Sequence, residues 1–430
     1  SANVQPKTET DLPAGVYSAV LSSDQPIAAV VGQIKSDPST SALVYQAPFS
    51  DYTGISLGST TVSLPSMEVN WFGIDSLARI QNVGDAPATV TIQYKAASIG
   101  GTLAGQALIA PKTVTIAKYA AYTLDPTQDA GSLVASSGSF QNRFFGSAVV
   151  TSDQPLAAIA NETDVTKRTK FTYNGFGDAD SGTELLAPAV FWNWYGTFTS
   201  LAVANPTSST CGATGIYTAG ANSKLVGGAD GAGQTKQVTF SLAPGESRTA
   251  YEGAALLSDL ADKFQIFAGS ARITSTCKLV AKVNQTQYSA NANGQLPSGS
   301  YNAVPVATLT TTVAAPLIQA NWYGYFTSLQ CANADTATPA SIRIEYRAAY
   351  SNAVITTHHT IPAGGSVTIY EGGCLGPVWN DLACQPDVRF NGAAIITSQG
   401  GQKIACTVNE VGPVHNGDNM STYNAVNIAP

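Results

Sequence analysis

The sequence predicts an all-β protein made of tandem β-sandwich modules, with an additional half module at its N-terminus. Three observations carry that prediction. Short segments alternate apolar and polar residues with the period of a strand, as in Thr89-Val90-Thr91-Ile92-Gln93-Tyr94 and Ile342-Arg343-Ile344-Glu345-Tyr346. Turn residues punctuate them about every 8–12 residues. Two phrases recur in strict alternation along the 430 residues, and no segment sustains a helical period.

The first phrase is Asn70-Trp71-Phe72-Gly73, repeated as Asn193-Trp194-Tyr195-Gly196 and Asn321-Trp322-Tyr323-Gly324. Each copy runs into a similar strand: SLARIQN (76–82), SLAVAN (200–205) and SLQCAN (328–333). An alternating segment and a Pro/Gly turn follow, and the whole is here termed half B. The second phrase, half A, reads GSAVVTSDQPLAAIANE (146–162), GSARITSTCKLVAKVNQ (269–285) and GAAIITSQGGQKIACTVNE (392–410). Each A half then reaches a Tyr-Asn pair, at Tyr173-Asn174, Tyr301-Asn302 and Tyr423-Asn424. One more A half opens the chain as SAVLSSDQPIAAVVGQ (18–33) followed by Tyr45, so the order is A-B-A-B-A-B-A. Half B supplies about four strands and half A about three, together the seven of an immunoglobulin-like sandwich. The best helical stretch, Gly253 to Lys263, reads as a short connection.

The cysteines choose between A-B and B-A modules. None of Cys211, Cys277, Cys331, Cys374, Cys384 and Cys406 forms a CxxC, and only three histidines accompany them, which disfavours zinc. An even count without metal spacing favours disulfides and an oxidising compartment. Pairing Cys211 with Cys277 and Cys331 with Cys406 links each B half to the A half after it, and Cys374 with Cys384 closes a local loop. This pairing implies a half module over 1–63 and sandwiches over 64–185, 186–313 and 314–430. Three strands alone would expose an apolar face and open edges, so the half module must pack on the first sandwich, pair with another chain or belong to a longer parent, and of these the assembly segment is the preferred reading.

Charged residues make up 11% of the chain, against about 25% in ordinary globular proteins. Hydroxyl and amide side chains take their place, as on extracellular β proteins. A net charge of −7 with no Lys/Arg cluster disfavours nucleic acid as a partner. No apolar run is long enough for a transmembrane helix. The start at Ser1 reads as a mature, processed product.

No residue pattern reads as an enzyme active site: GxSxG, HExxH and P-loop motifs are absent. His358 and His359 lie in an alternating run, which directs their rings to opposite faces of a strand. Asp178, Asp180 and Glu184, around Gly182, have a spacing that would suit a calcium ion, but they lack the full pattern of a twelve-residue calcium loop and a solvated acidic linker explains them better. No other cofactor is implied. Sequons at Asn161, Asn284 and Asn419 would admit glycans, but Asn161 and Asn284 share a repeat position with Asn409, which lacks the hydroxyl residue. That recurrence favours a structural Asn. Likewise Trp71, Trp194 and Trp322, with Asn70, Asn193, Asn321 and Gly73, Gly196, Gly324, read either as packing at module junctions or as aromatic platforms for sugars.

The succession SDQPLAAIAN, YNG or YNA, NWYG, SLxxxN and an alternating xxIxIxY resembles the tandem immunoglobulin-like β-sandwich repeats of secreted and surface proteins of Chloroflexota-type bacteria. The resemblance covers nearly the whole chain and implies a secreted or cell-surface location. It carries over no catalytic residue. The first A half departs from it, with Gly32 where the others have Asn and Gln46 after Tyr45. The expectation is a structural subunit of an extracellular filament, sheath or surface layer, polymerised head-to-tail by strand pairing through residues 1–63. The alternative is an adhesin or carbohydrate-binding surface protein that takes glycans as partners.

Overall fold

A computed structural model describes residues 19–25, 27–34, 49–97, 110–129, 141–164, 169–251, 258–287, 296–349, 351, 353–370, 382, 389–412 and 420–428. They form antiparallel β-strands, with no α-helix among them. Residues 258–263, the described part of the helical stretch, are a turn.

Two short strands, β1 (Val30–Ile34) and β2 (Phe49–Thr53), pair as a hairpin at the N-terminus. The next unit holds β3 (Ser59–Val69), β4 (Ile74–Asn82), β5 (Ala88–Ala96), β6 (Lys112–Ile116), β7 (Ala121–Leu124), β8 (Phe144–Asp164) and β9 (Thr169–Asn174). β8 is 21 residues long because it serves two sheets. Its first half pairs with β3 and β5, its second with β4 and β9. β6 and β7 complete the outer edges on β5 and β4. The sheets enclose Val90, Ile92, Tyr94 and Val150 from one side and Ala78, Ile80, Ala160 and Tyr173 from the other, all nearly inaccessible.

The second unit repeats the plan with β10 (Gly182–Trp192), β11 (Thr197–Ala204), β12 (Cys211–Ala219), β13 (Lys224–Leu225), β14 (Thr235–Leu242), β15 (Ser247–Tyr251), β16 (Phe264–Gln287), β17 (Ser298–Asn302) and β18 (Val304–Pro305). Here β16 is the strand that crosses, pairing with β10 and β12 before its midpoint and with β11 and β17 beyond it. The third unit has β19 (Thr312–Ala320), β20 (Phe326–Asn333), β21 (Ala340–Ala348), β22 (Val354–Ile361), β23 (Ser366–Tyr370), β24 (Phe390–Ser398), β25 (Ile404–Val411), β26 (Met420–Asn424) and β27 (Val426–Ile428). Gly400 and Gly401, the latter at φ +83°, split its crossing strand into β24 and β25.

The A halves therefore contribute the strand common to both sheets, and the B halves wrap around it. Each unit has its own hydrophobic core. The two halves are tied by the tyrosine of the Tyr-Asn pair. Pro65, Pro188 and Pro316 lack an N–H for the ladder, and β3, β10 and β19 each bulge there, freeing a carbonyl. The Tyr173 hydroxyl donates to Ser66 O at 2.6 Å, Tyr301 to Ala189 O at 2.7 Å, and Tyr423 to Leu317 O. The final Asn of each SLxxxN phrase is buried and ties its loop: Asn82 Nδ2 donates to Ala86 O and Ile116 O, Asn205 Nδ2 to Ser209 O and Leu242 O, and Asn333 Nδ2 to Thr338 O.

Cys211 is bonded to Cys277, and Cys331 to Cys406, with Cα separations of 5.5 and 4.1 Å. The second pair lies directly across β20 and β25, at the close approach of a non-hydrogen-bonded antiparallel pair. Cys374 and Cys384 lie outside the described residues. Trp71 packs against Phe145 and Trp194 against Phe191, both residues of their own units.

Removing the tyrosine tie should cost stability without altering the fold. Tyr301→Phe removes the hydroxyl that accepts from Ala189 N and donates to Ala189 O, and we expect a loss of about 1–2 kcal/mol in chemical denaturation, with unchanged circular dichroism.

Candidate functional site

Two surfaces concentrate the residues that the repeat singles out. The first is an axis on which all four A halves meet. Asn174 Nδ2 donates to Thr53 O at 2.8 Å, Asn302 Nδ2 to Asn174 O at 2.9 Å, Asn424 Nδ2 to Asn302 O at 2.6 Å, and Thr53 Oγ1 to Asn424 O at 3.0 Å. The bonds run in one direction and close a ring, so the N-terminal hairpin takes the fourth position beside the three sandwiches. This fixes the register of the first A half. Tyr52-Thr53-Gly54 stands where Tyr173-Asn174-Gly175 stands in the next. Gly54 N donates to Ala29 O and Gly175 N to Ala158 O, both at 2.8 Å. The tyrosine of the first repeat is thus Tyr52, whereas Tyr45 lies outside the described residues. The signal was present as Asp51-Tyr52-Thr53-Gly54, but Thr in place of Asn hid it.

A second tier of contacts surrounds the axis. The buried Glu162 carboxylate accepts from Asn284 Nδ2 at 2.7 Å and forms a fully buried ion pair with Lys282 of the neighbouring unit. The Lys282 ammonium also lies 4.8 Å from the Tyr173 ring centre. Glu68 shares this pocket, and burial, reinforced by the charge of Glu162, holds its carboxyl well above the usual range. At the next seam Gln285 Oε1 accepts from Asn409 Nδ2 at 2.7 Å. At the third seam the equivalents are Glu410 and Gly32, and glycine has no amide to offer. Glu410 Oε1 is buried without a hydrogen bond. Asp51 lies close by, accepting from Ser421 Oγ. Burial pushes Asp51 up to about 6, the Ser421 bond and Lys170 acting against it; burial and the Asp51 charge hold Glu410 well above its ordinary range. The fourth seam is closed by Lys170 Nζ on Gln33 Oε1 at 2.6 Å.

These seams also place the sequon residues. Asn284 is 8% exposed with its amide engaged by Glu162, so the folded chain leaves no room for a glycan there. Asn161 Oδ1 accepts from Thr172 Oγ1 at 2.6 Å. Asn419 lies outside the described residues.

The second surface is the set of Asn-Trp-aromatic-Gly turns. Each is a two-residue hairpin joining the two sheets of its unit, closed by paired bonds such as Trp71 N to Ile74 O and Ile74 N to Trp71 O. Phe72, Tyr195 and Tyr323 have φ of 52°, 48° and 50°, with the following Gly73, Gly196 and Gly324 at 93°, 76° and 81°. Hairpins of this hand need positive φ at both central positions and ordinarily place Asn or Asp at the first. An aromatic there is strained, and the three are 58%, 75% and 69% exposed. Each rests edge-on against its half-buried tryptophan, 5.1–5.3 Å between ring centres. Trp194 stacks in turn on Phe191 at 4.9 Å, and Trp71 packs on Phe145 at 5.2 Å.

The three acidic linker residues have separate duties. Asp178 Oδ2 accepts from Ser59 Oγ, Asp180 Oδ2 from Gly177 N at 2.9 Å, and Glu184 pairs with Arg272. Among the described residues no three His, Cys, Asp or Glu side chains converge as metal ligands. His358 is exposed and His359 buried, on opposite faces of β22. A surface depression lined by Trp192, Val226, Phe264 and Gln265 contains no titratable side chain. No helix of the described residues is long and apolar enough to cross a membrane.

No protein-family model matches this chain, and no curated protein sequence does. Among solved structures, a tetra-tandem repeat from the extending region of a large adhesion protein aligns over 94% of this chain and 82% of that one. Its identity is 14% and its TM-score 0.11, too low for any argument about fold or function.

The axis makes two predictions. Lys282→Ala leaves Glu162 and Glu68 buried together without a cation, and should lower stability by about 3–5 kcal/mol in urea denaturation. At the third seam, raised carboxyls favour docking of the hairpin when protonated. Their contribution is complete below the ordinary carboxylate range and is lost as pH rises through about 6. The melting temperature should therefore be lower at pH 8 than at pH 5, and Glu410→Gln or Gly32→Asn should shrink that difference.

Proposed function

We propose that this chain is a structural subunit of an extracellular or cell-surface assembly, such as a sheath, filament or surface layer, built of immunoglobulin-like sandwiches. One observation carries the reading: the fourth position of the ring holds half a sandwich with its inner face uncovered. Leu21, Ile27 and Val31 are 67%, 56% and 39% exposed, while their repeat equivalents Val150, Leu156 and Ala160 are core residues of the next unit. A protein serving alone in water gains nothing by displaying such a face. Disulfides at Cys211–Cys277 and Cys331–Cys406 support an oxidising compartment, in keeping with the resemblance to surface proteins.

Residues 1–430 contain four A halves and three B halves, so the B half that would complete the fourth sandwich comes from outside these residues. The acidic linker acts here as structure, without calcium, and the chain as a scaffold, without catalysis.

A second reading, as an adhesin, has its own support in the exposed, strained aromatics Phe72, Tyr195 and Tyr323, a recurrent cost of the kind found at functional sites. Aromatic faces suit sugar rings, and three copies would add avidity.

Immunogold labelling and fractionation of the cells that make the protein should find it outside the membrane in an ordered, high-mass assembly. A dispersed cytoplasmic pool would refute the structural reading. Glycan binding lost on joint substitution of Phe72, Tyr195 and Tyr323 by Ala, with assembly unchanged, would establish the second.

A further inference from the structure

The open hairpin has three completed counterparts in the same molecule, and they specify what would cover it. In each sandwich the strand equivalent to β1 has two neighbours. One is the Tyr-Asn strand, which β1 has as β2; the other is β4, β11 or β20. Among the described residues β1 pairs with β2 alone. Toward the described residues its second edge is thus an unpaired row of N–H and C=O groups.

The inner face tells the same story. The preceding strand of the B half, β3 in the first sandwich, lies across Val150 and Ala148, and its bulge carbonyl at Ser66 receives the Tyr173 hydroxyl. At the open position Leu21 stands for Val150, Ile27 for Leu156, Val31 for Ala160 and Ile55 for Phe176. All four are exposed, whereas those four equivalents are at most 1% exposed. Tyr52 stands for Tyr173 and donates to no described residue. The opposite face of the hairpin is already covered, with Val30 packed on the core of the third sandwich. Among the described residues one edge, one apolar face and one tyrosine hydroxyl therefore lack a partner together, on the side where a B half belongs.

We propose that the open hairpin is a docking site for a B-type strand pair supplied from outside residues 1–430: a Pro-bulged strand, an Asn-Trp-aromatic-Gly turn and a second alternating strand. A copy of residues 1–430 has no such pair to spare, since its three B halves already close its own sandwiches. The joint is formed by main-chain pairing along β1 and by apolar burial over Leu21, Ile27, Val31 and Ile55. Tyr52 would donate to the incoming bulge carbonyl. This inference rests on the structural reading above, since it names the partner of that same open face.

The test uses the full chain and a synthetic peptide of residues 59–82, which spans β3, the turn and β4. We expect saturable one-to-one binding by fluorescence anisotropy, with a scrambled peptide inert. Amide exchange should slow at residues 30–34 and not in the three sandwiches. Leu21→Asp with Ile27→Asp, both on exposed side chains, should leave the melting temperature unchanged and weaken binding by more than about tenfold, because each carboxylate would be buried unpaired. Absence of binding, or binding indifferent to the double variant, would overturn the proposal. So would a stable dimer of the chain alone with residues 30–34 already protected, which would make a second copy the occupant. None of these results bears on where the protein resides, so the localisation experiment fails or succeeds separately.

Discussion

Everything in this molecule is arranged around the hydrogen-bonded ring of Thr53, Asn174, Asn302 and Asn424. Each bond joins a side chain of one A half to a main-chain carbonyl of another, so the ring fixes both spacing and orientation at four positions together. Sandwiches in a row would be free to swing on their linkers. Sandwiches tied through their Tyr-Asn strands at one axis are not. The consequence reaches outward: Glu162, Gln285, Glu410 and Gln33 occupy one repeat position and face, in turn, Lys282 with Asn284, Asn409, Gly32 and Lys170.

Variation within that repeat position shows how near-equivalent sites diverge. Where a lysine and an amide meet a glutamate, the seam carries a buried ion pair. Where an amide meets Gln285, it is neutral. Where glycine meets Glu410, a carboxyl is left buried with Asp51 beside it. Buried polar groups satisfied on every side make packing specific, and one left unsatisfied makes it conditional. The seam with the raised Asp51 and Glu410 carboxyls is the one that holds the N-terminal hairpin.

The tyrosine tie explains why the two halves of a sandwich recognise one another. A proline interrupts the ladder of the B half, the strand bulges, and a freed carbonyl points at the hydroxyl brought by the A half. The bond is made three times, and at the fourth position no described residue receives the Tyr52 hydroxyl. The aromatic turns are a separate feature. They lie at the hairpin tips and do not contribute to the axis, and their strain is tolerated because paired bonds lock each turn and a tryptophan supports each ring.

From the amino-acid pattern alone came the strands, the alternation of A and B halves, and the surplus A half, because period, turn residues and repetition are local properties written in neighbouring residues. SLxxxN marked its buried Asn and the Tyr-Asn phrase its tie, without showing what either bonded. The sequence reading took Tyr45 for Tyr52 because Thr53 broke the phrase. Only the tertiary structure decided that the surplus half closes a ring, that Gly32 deprives Glu410, and which face of the hairpin stays open. Those facts depend on residues more than a hundred positions apart meeting at one axis, and such meetings are set by the packing of whole sandwiches, which no local pattern encodes.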